Sequence, residues 1–307
     1  MDNPDTKHPT ARWKIVAMIL VLALLAASIA QIIWYHSWYS FWRPTSYLQT
    51  TDEIYVMEAG ILQNNLEFQD GMGWIFQYNF SHESYPSLIA TYHIDQTAGD
   101  GSEFDRALRL MDEYAPRLSH KGDFDYHIEM SATALLEYCL DQSDHGINCR
   151  CKAQILNEMC LALGIYARKL WISPYSGYDP DCHVVNEIWD TELNKWIMLD
   201  ITNNQYWVDE NGTPLSVLEI REKGAAQEFC TPVAPGDGLS DLQALQRQHM
   251  AEFLYIMKNM VYLQYCSIYT VDEVWPIFGL FPKKMEGIDQ VMPISREAVE
   301  RSPLQPV

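Results

Sequence analysis

Positive charge is scarce in this chain: 21 Lys and Arg stand against 41 Asp and Glu, a net charge of −20 over 307 residues. A surface of that sign repels phosphate backbones, so nucleic acid is excluded as an expected partner. The sequence has no glycine-rich loop of the kind that cradles phosphates, no loop with calcium-ligand spacing, no internal repeat and no low-complexity tract. No cofactor is therefore expected. Long apolar runs are also missing, with one exception.

The exception is Ile15 to Ala30, uninterrupted by charge and continued by Gln31-Ile32-Ile33-Trp34. About 20 apolar residues suffice to cross the hydrocarbon of a bilayer as a helix. Trp34, Tyr35, Trp38, Tyr39, Phe41 and Trp42 follow, an aromatic group of the sort found at headgroup level. Lys7, Arg12 and Lys14 precede the run and Arg43 follows it, so the positive-inside rule keeps residues 1–14 in the cytoplasm. The expected organisation is a single-pass anchor over 15–35 with everything after it extracytoplasmic. A cleaved signal peptide ending at Ser28-Ile29-Ala30 is the rival reading; it would leave a mature end starting Gln31-Ile32-Ile33, which disfavours it. Residues 1–43 carry a net +2 (Lys7, Arg12, Lys14 and Arg43 against Asp2 and Asp5), which leaves −22 on the remainder.

What the remainder does have is apolar material, 48% of the chain with 12% aromatics, enough for one sizeable core. It also has seven cysteines, an odd count that leaves at least one thiol unpaired within the chain. Cys139 and Cys160 sit in apolar helical patterns and read as small core residues. Cys149 is different. Asn148 before it is a good N-cap, which sets Cys149 at the first helical position, where free N–H groups favour a thiolate. Ala153, Leu156, Cys160 and Leu163 recur at helical spacing behind it, and Gly164 can take the left-handed conformation that stops the helix.

A strand over Ala167–Ile172 is expected next, then a polar loop Ser173–Cys182. A hairpin of His183–Trp189 and Lys195–Asp200 follows, closed by Asp190–Asn194. With Trp189 opposite Asn194 or Lys195, His183 falls opposite Asp200 or one position off. A thiol at a helix start, a histidine opening a strand and an aspartate closing the next are the parts of an activated nucleophile with an oriented base.

Cys149-x-x-x-Ala153, Leu163-Gly164-Ile165-x-Ala167-Arg168, His183 before an apolar strand, and Trp196-x-x-Leu199-Asp200-x-Thr202 resemble the core of the transglutaminase-like superfamily. The stretch from Thr213 to Glu222 extends the likeness weakly. The resemblance implies an α+β, papain-like fold: a helix bearing the cysteine packs on an antiparallel sheet bearing the histidine and aspartate. It further implies Cys149 as nucleophile, His183 as base and Asp200 as orienting acid. Ile201 stands where the family usually has proline, and Cys151 where an acidic residue is common.

The expected domain order is an N-terminal elaboration over 44–125, the transglutaminase-like domain over 126–285 and a flexible tail over 286–307. In the lead-in, a helix is expected over Ile54–Leu66, short strands over Trp74–Tyr78 and Leu88–His93, a loop over Thr97–Ser102, and helices over Glu103–Tyr114 and Ser131–Leu140. Beyond the core, a second hairpin at Tyr206–Val208, a capped helix from Ser216 to Gly224 and a longer helix over Leu242–Tyr265 are expected. Asn79-Phe80-Ser81 matches a glycosylation sequon. The function expected is acyl transfer or hydrolysis on a protein or peptide, cell-envelope material included. Two other readings remain open: a catalytically silent binding domain on the same fold, and a metal site built from Cys149, Cys151 and His183.

Overall fold

The computed structural model describes residues 10–41, 47–176, 179–271, 274–288 and 290–305, with side chains over 13–34 and from 53 onward. The chain divides into two compact units, residues 1–53 and 54–307. In the first, α1 (Thr10–Phe41) contains a stretch from Trp13 to Trp34 with mean hydropathy 2.7, long and apolar enough to cross a membrane. Its leucines and isoleucines are exposed all round, so it has no polar face to offer water. Of the aromatic group that ends the run, only the side chain of Trp34 is described; Lys7 and Arg43 lie outside the described residues.

The lead-in is more helical than its sequence suggested. Here α2 spans Tyr47–Gln63, β1 Gln77–Tyr78, α3 Tyr85–Tyr92, α4 Ile94–Ala98 and α5 Glu103–Tyr114. The Leu88–His93 segment predicted as a strand is the body of α3. Pro86 sits in its first turn, where the missing N–H costs nothing, and His93 closes it in the left-handed conformation with φ 52°. A short apolar run fits either period, and Pro86 and His93 decide it. Of the predicted Trp74–Tyr78 strand only β1 pairs, and the loop expected from Thr97 begins only after Ala98. Asn79 Nδ2 donates to Thr270 Oγ1 at 3.1 Å, so the sequon's amide is engaged within the fold.

After β2 (Ser119–His120), α6 (Ala132–Asp141) and β3 (Gly146–Ile147) come α7 (Cys149–Ala162), β4 (Ala167–Ser173), β5 (His183–Asp190), β6 (Lys195–Asp200) and β7 (Gln205–Asp209). Gly164 takes φ 75° after α7, as its position predicted. The chain continues through α8 (Val217–Ala226), β8 (Cys230–Val233), α9 (Leu242–Gln248), α10 (Met250–Asn259), β9 (Tyr262–Tyr265), β10 (Ile268–Tyr269), β11 (Phe278–Leu280), β12 (Met292–Pro293) and α11 (Arg296–Glu300). One sheet runs β12-β11-β9-β4-β5-β6-β7-β8, antiparallel throughout except for the β11–β12 pair. Every residue of β4 and β5 is buried, because both faces of the sheet are covered. Asn186 Nδ2 donates to Ala153 O at 2.9 Å, which turns the even positions of β5 toward α7. Glu187 accepts from the Val217 N–H at the start of α8 at 2.9 Å, so the odd positions face the other layer.

Three expectations beyond the core change. The single helix over Leu242–Tyr265 is two helices and a strand. Tyr262–Tyr265 alternates half-buried and buried residues and pairs with both β4 and β11, so period two overrides the helical run before it. Helix α8 passes through Gly224 and stops at Gln227 with φ 56°. Gly224 serves close packing instead: a Cβ there would collide with the end of the Met257 side chain. The segment after Met285 is not loose over its described part, since β12 and α11 dock on the domain and bury Val299.

Candidate active site

Helix α7 begins at Cys149 with Asn148 as its N-cap, the cap oxygen accepting from the Cys151 N–H at 3.2 Å. The same Asn148 side chain donates through Nδ2 to the Tyr126 hydroxyl, tying the helix start to a residue held at φ 57°. Non-glycine residues seldom adopt that conformation, so surrounding contacts must hold it. Cys149 is half-buried and lines a cavity, whereas Cys151 is fully buried with its sulfur 3.9 Å from Met130 Sδ. Two residues along a helix is about 200° of rotation, so the two thiols face different surroundings.

His183 opens β5 and Asp200 closes β6, as predicted, but in a different register. Trp189 pairs with Trp196 rather than with Asn194 or Lys195. That register sets Asp200 across from Val185, and His183 two positions on, a diagonal neighbour on the same face. The diagonal suits an imidazole reaching a short carboxylate. His183 Nε2 donates to Asp200 Oδ2 at 2.9 Å, which leaves Nδ1 as the ring nitrogen free to serve Cys149, a residue lining the same cavity. The carboxylate is held in turn by the turn after β6: Oδ1 accepts from the Thr202 N–H at 3.0 Å and Oδ2 from Asn203 Nδ2 at 2.8 Å.

Burial opposes charge on all three groups, and their mutual contacts win. For His183, desolvation pulls the pKa down, but the Asp200 charge and both hydrogen bonds raise it to about 10. Burial raises the Cys149 thiol, yet the His183 hydrogen bond, its positive charge and the Val184 backbone N–H bring it below the ordinary thiol range. Burial likewise raises Asp200, and the imidazolium and Asn203 hold it below its usual value. Each of the three shifts favours the charged form of its group.

The cavity above the sulfur has a volume of 840 Å³ and is walled by Tyr126, Trp171, Tyr255 and Trp275, with His120 and Asp181 at its polar edge. Burial, then the neighbouring Lys152 and His183 charges, lower the His120 pKa. Burial also lowers Lys152, against the pull of Asp200. Sequence reasoning missed Asn203, Lys152, His120 and Tyr255. An amide three residues beyond Asp200 was a readable signal for the first. The other three come from distant elements with no motif around them. Among the described residues no group of three or more His, Cys, Asp or Glu is arranged to hold a metal ion.

Residues 90–201 match the family model of the transglutaminase-like superfamily, a span that takes in Cys149, His183 and Asp200. Over that span the chain is similar to the transglutaminase-like superfamily, and its structure there mixes helix and sheet. A solved structure from Cytophaga hutchinsonii, described as a "Putative Cysteine Protease", is 17% identical with a TM-score of 0.31. The overlap covers 51% of this chain and 50% of that one. No curated protein matches the chain.

Proposed function

We propose that the domain is a thiol enzyme that cleaves a carboxamide or peptide bond through an acyl-enzyme on Cys149, with His183 moving the proton and Asp200 orienting the ring. The observation that carries this reading is the buried His183–Asp200 pair at 2.9 Å, which opens with Cys149 onto one cavity. The Cys149 thiolate adds to the carbonyl carbon, and the oxyanion accepts from the Cys149 backbone N–H, one of the first-turn amides with no partner inside the helix. The imidazolium gives its Nδ1 proton to the departing amine, which leaves a thioester. Water or a second amine then adds to the thioester and returns a proton to Nδ1, and the thiolate departs. The substrate class is a protein or peptide, and α1 is an uncleaved single-pass anchor that holds the domain outside the cytoplasm.

Incubation with a panel of glutamine- and peptide-based acyl donors tests the reaction. Mass spectrometry is expected to find the acyl group on Cys149, with turnover abolished in Cys149→Ser. Turnover that survives in Cys149→Ser would remove the proposal. Limited iodoacetamide at about pH 6 tests which thiol is activated. Cys149 is expected to label first, since ordinary thiols with pKa near roughly 8.5 are then protonated. Cys151→Ser is expected to leave that labelling unchanged; preferential labelling of Cys151 would sink the assignment. For the anchor, the full-length chain is expected to resist carbonate extraction from membranes. Recovery of a soluble form starting at Gln31 would show cleavage instead.

A further inference from the structure

His183 is met from both layers of the domain. Cys149 approaches it from the start of α7, and Tyr255 of α10 packs edge-on against the imidazole, the ring centroids 5.4 Å apart at 71°. The Tyr255 hydroxyl donates to Asp181 Oδ1 at 3.1 Å, so the ring is fixed at its far end as well. Asp181 lies two residues before His183, in the loop that carries the histidine into the sheet. Lys258, one helical turn on from Tyr255, pairs with Asp181 at 2.9 Å and Asp179 at 3.0 Å. One helix therefore holds the imidazole by its face or edge and the chain leading to it by its charges.

We infer that Tyr255 is a positioning residue for His183: braced by Asp181, it keeps the imidazole turned toward Cys149 from the side opposite α7. This deepens the thiol-enzyme reading and rests on it. A histidine at the first position of a strand has ladder neighbours on one side only, so its side-chain torsions need support from elsewhere. The diagonal Asp200 fixes Nε2 but leaves the ring free to pivot about that bond. Tyr255 closes the pivot and keeps water from the back of the ring, so the thiolate–imidazolium pair forms at lower pH than it would in its absence.

The test is the pH profile of iodoacetamide labelling at Cys149, which needs no substrate. Among the described residues, the charged and titratable groups around His183 are Cys149, Arg150 and Lys152 from α7, His120 from β2 and Asp200 from β6. Asp181 and Cys182 line the cavity with it from the loop before β5, Lys258 of α10 pairs with Asp181 and Asp179 behind them, and Glu58 of α2 acts on Lys258 and Asp179 from outside. Tyr255→Phe and Tyr255→Leu alter none of these charges, so a shift reports the ring and its hydroxyl. Tyr255→Leu is expected to move the acid limb up by about one pH unit, slowing labelling at pH 6 roughly tenfold, and Tyr255→Phe by about half a unit, roughly threefold. A role in packing alone would lower the melting temperature and leave the limb in place.

Labelling of the unchanged protein separates the two levels of the argument. If its Cys149 reacts no faster at pH 6 than an ordinary thiol, the thiol-enzyme reading falls. If it reacts fast and the profiles of both folded variants superimpose on it, only the inference about Tyr255 falls. Should the leucine variant not fold, the phenylalanine variant decides alone, and an unmoved limb overturns the inference.

Discussion

An Asp200→Asn variant is expected to fold and to lose roughly 10–10³-fold in turnover, with a parallel fall in Cys149 labelling at pH 6. The reason lies in the hydrogen-bond inventory of this carboxylate. All of its partners are donors: His183 Nε2–H, the Asn203 amide, and the backbone N–H groups of Thr202 and Asn203. An asparagine must turn its NH₂ toward one pair or the other. Facing the backbone, it sets donor against donor in the turn. Facing the imidazole, it drives the proton from Nε2 to Nδ1, and a ring protonated at Nδ1 cannot accept the thiol proton. The analogous change in a serine protease costs about 10⁴ in kcat, but there the hydroxyl depends wholly on the base; a thiol near its own pKa depends on it less.

The pH dependence follows the same contacts. His183 keeps its proton up to about 10 in the folded protein, so its stabilising contribution is complete below its ordinary value near 6.5 and is lost as pH rises through 10. Asp200, held below its usual range, contributes above its unfolded value and loses that contribution as pH falls through the lowered one. Between those limits His183 and Asp200 are both charged, and below them on the acid side labelling falls as the Cys149 thiolate is protonated. In Asp200→Asn burial acts on His183 without its counter-charge, the imidazole turns neutral, and the acid limb moves up toward an ordinary thiol. Unchanged labelling and turnover would mean that another residue orients the ring.

The core was legible because its signals are local. Asn148 caps, through its own side chain, the helix that Cys149 opens, Gly164 stops α7 by its own φ, and β6 was bounded correctly by its apolar run and Asp200. The hairpin register was not legible. Its loop turns on Asn194 at φ 52°, and the pairing is fixed by Trp189 against Trp196 and by buried groups that the loop sequence does not mention. Tyr262–Tyr265 and the segment after Met285 were misread for a related reason. Each is short, and each becomes a strand only because a β edge already formed by distant residues accepts it. Tyr255 escaped notice as one aromatic on an apolar helix face. Its neighbour His183 is a tertiary contact, and helical spacing carries no trace of it.

Glu187→Gln is expected to be the most destabilising conservative change in the domain, by about 3–5 kcal/mol in urea unfolding. Arg168 and Glu187 sit directly across from each other in β4 and β5, both side chains 2% exposed, with N–O distances of 2.6 and 2.9 Å. Arg168 also donates to Val299 O at 2.8 Å and stacks 3.9 Å over the Trp196 ring, so its charge cannot move out to water when its partner is lost. Arginine does not shed its proton at any working pH, so the variant keeps a buried cation facing a neutral amide. Against a total stability of roughly 5–15 kcal/mol this is a large share. Replacing both residues by apolar ones of similar size is expected to recover more than half of the loss, since the cost lies in the unpaired charge. A loss below about 1 kcal/mol in Glu187→Gln would refute the account. The pair bears on the site through register. It couples the two central strands at one defined position, and Glu187 lies on the same face of β5 as His183, two alternations along. A slip of one residue would send His183 to the face of α7 and part it from Asp200.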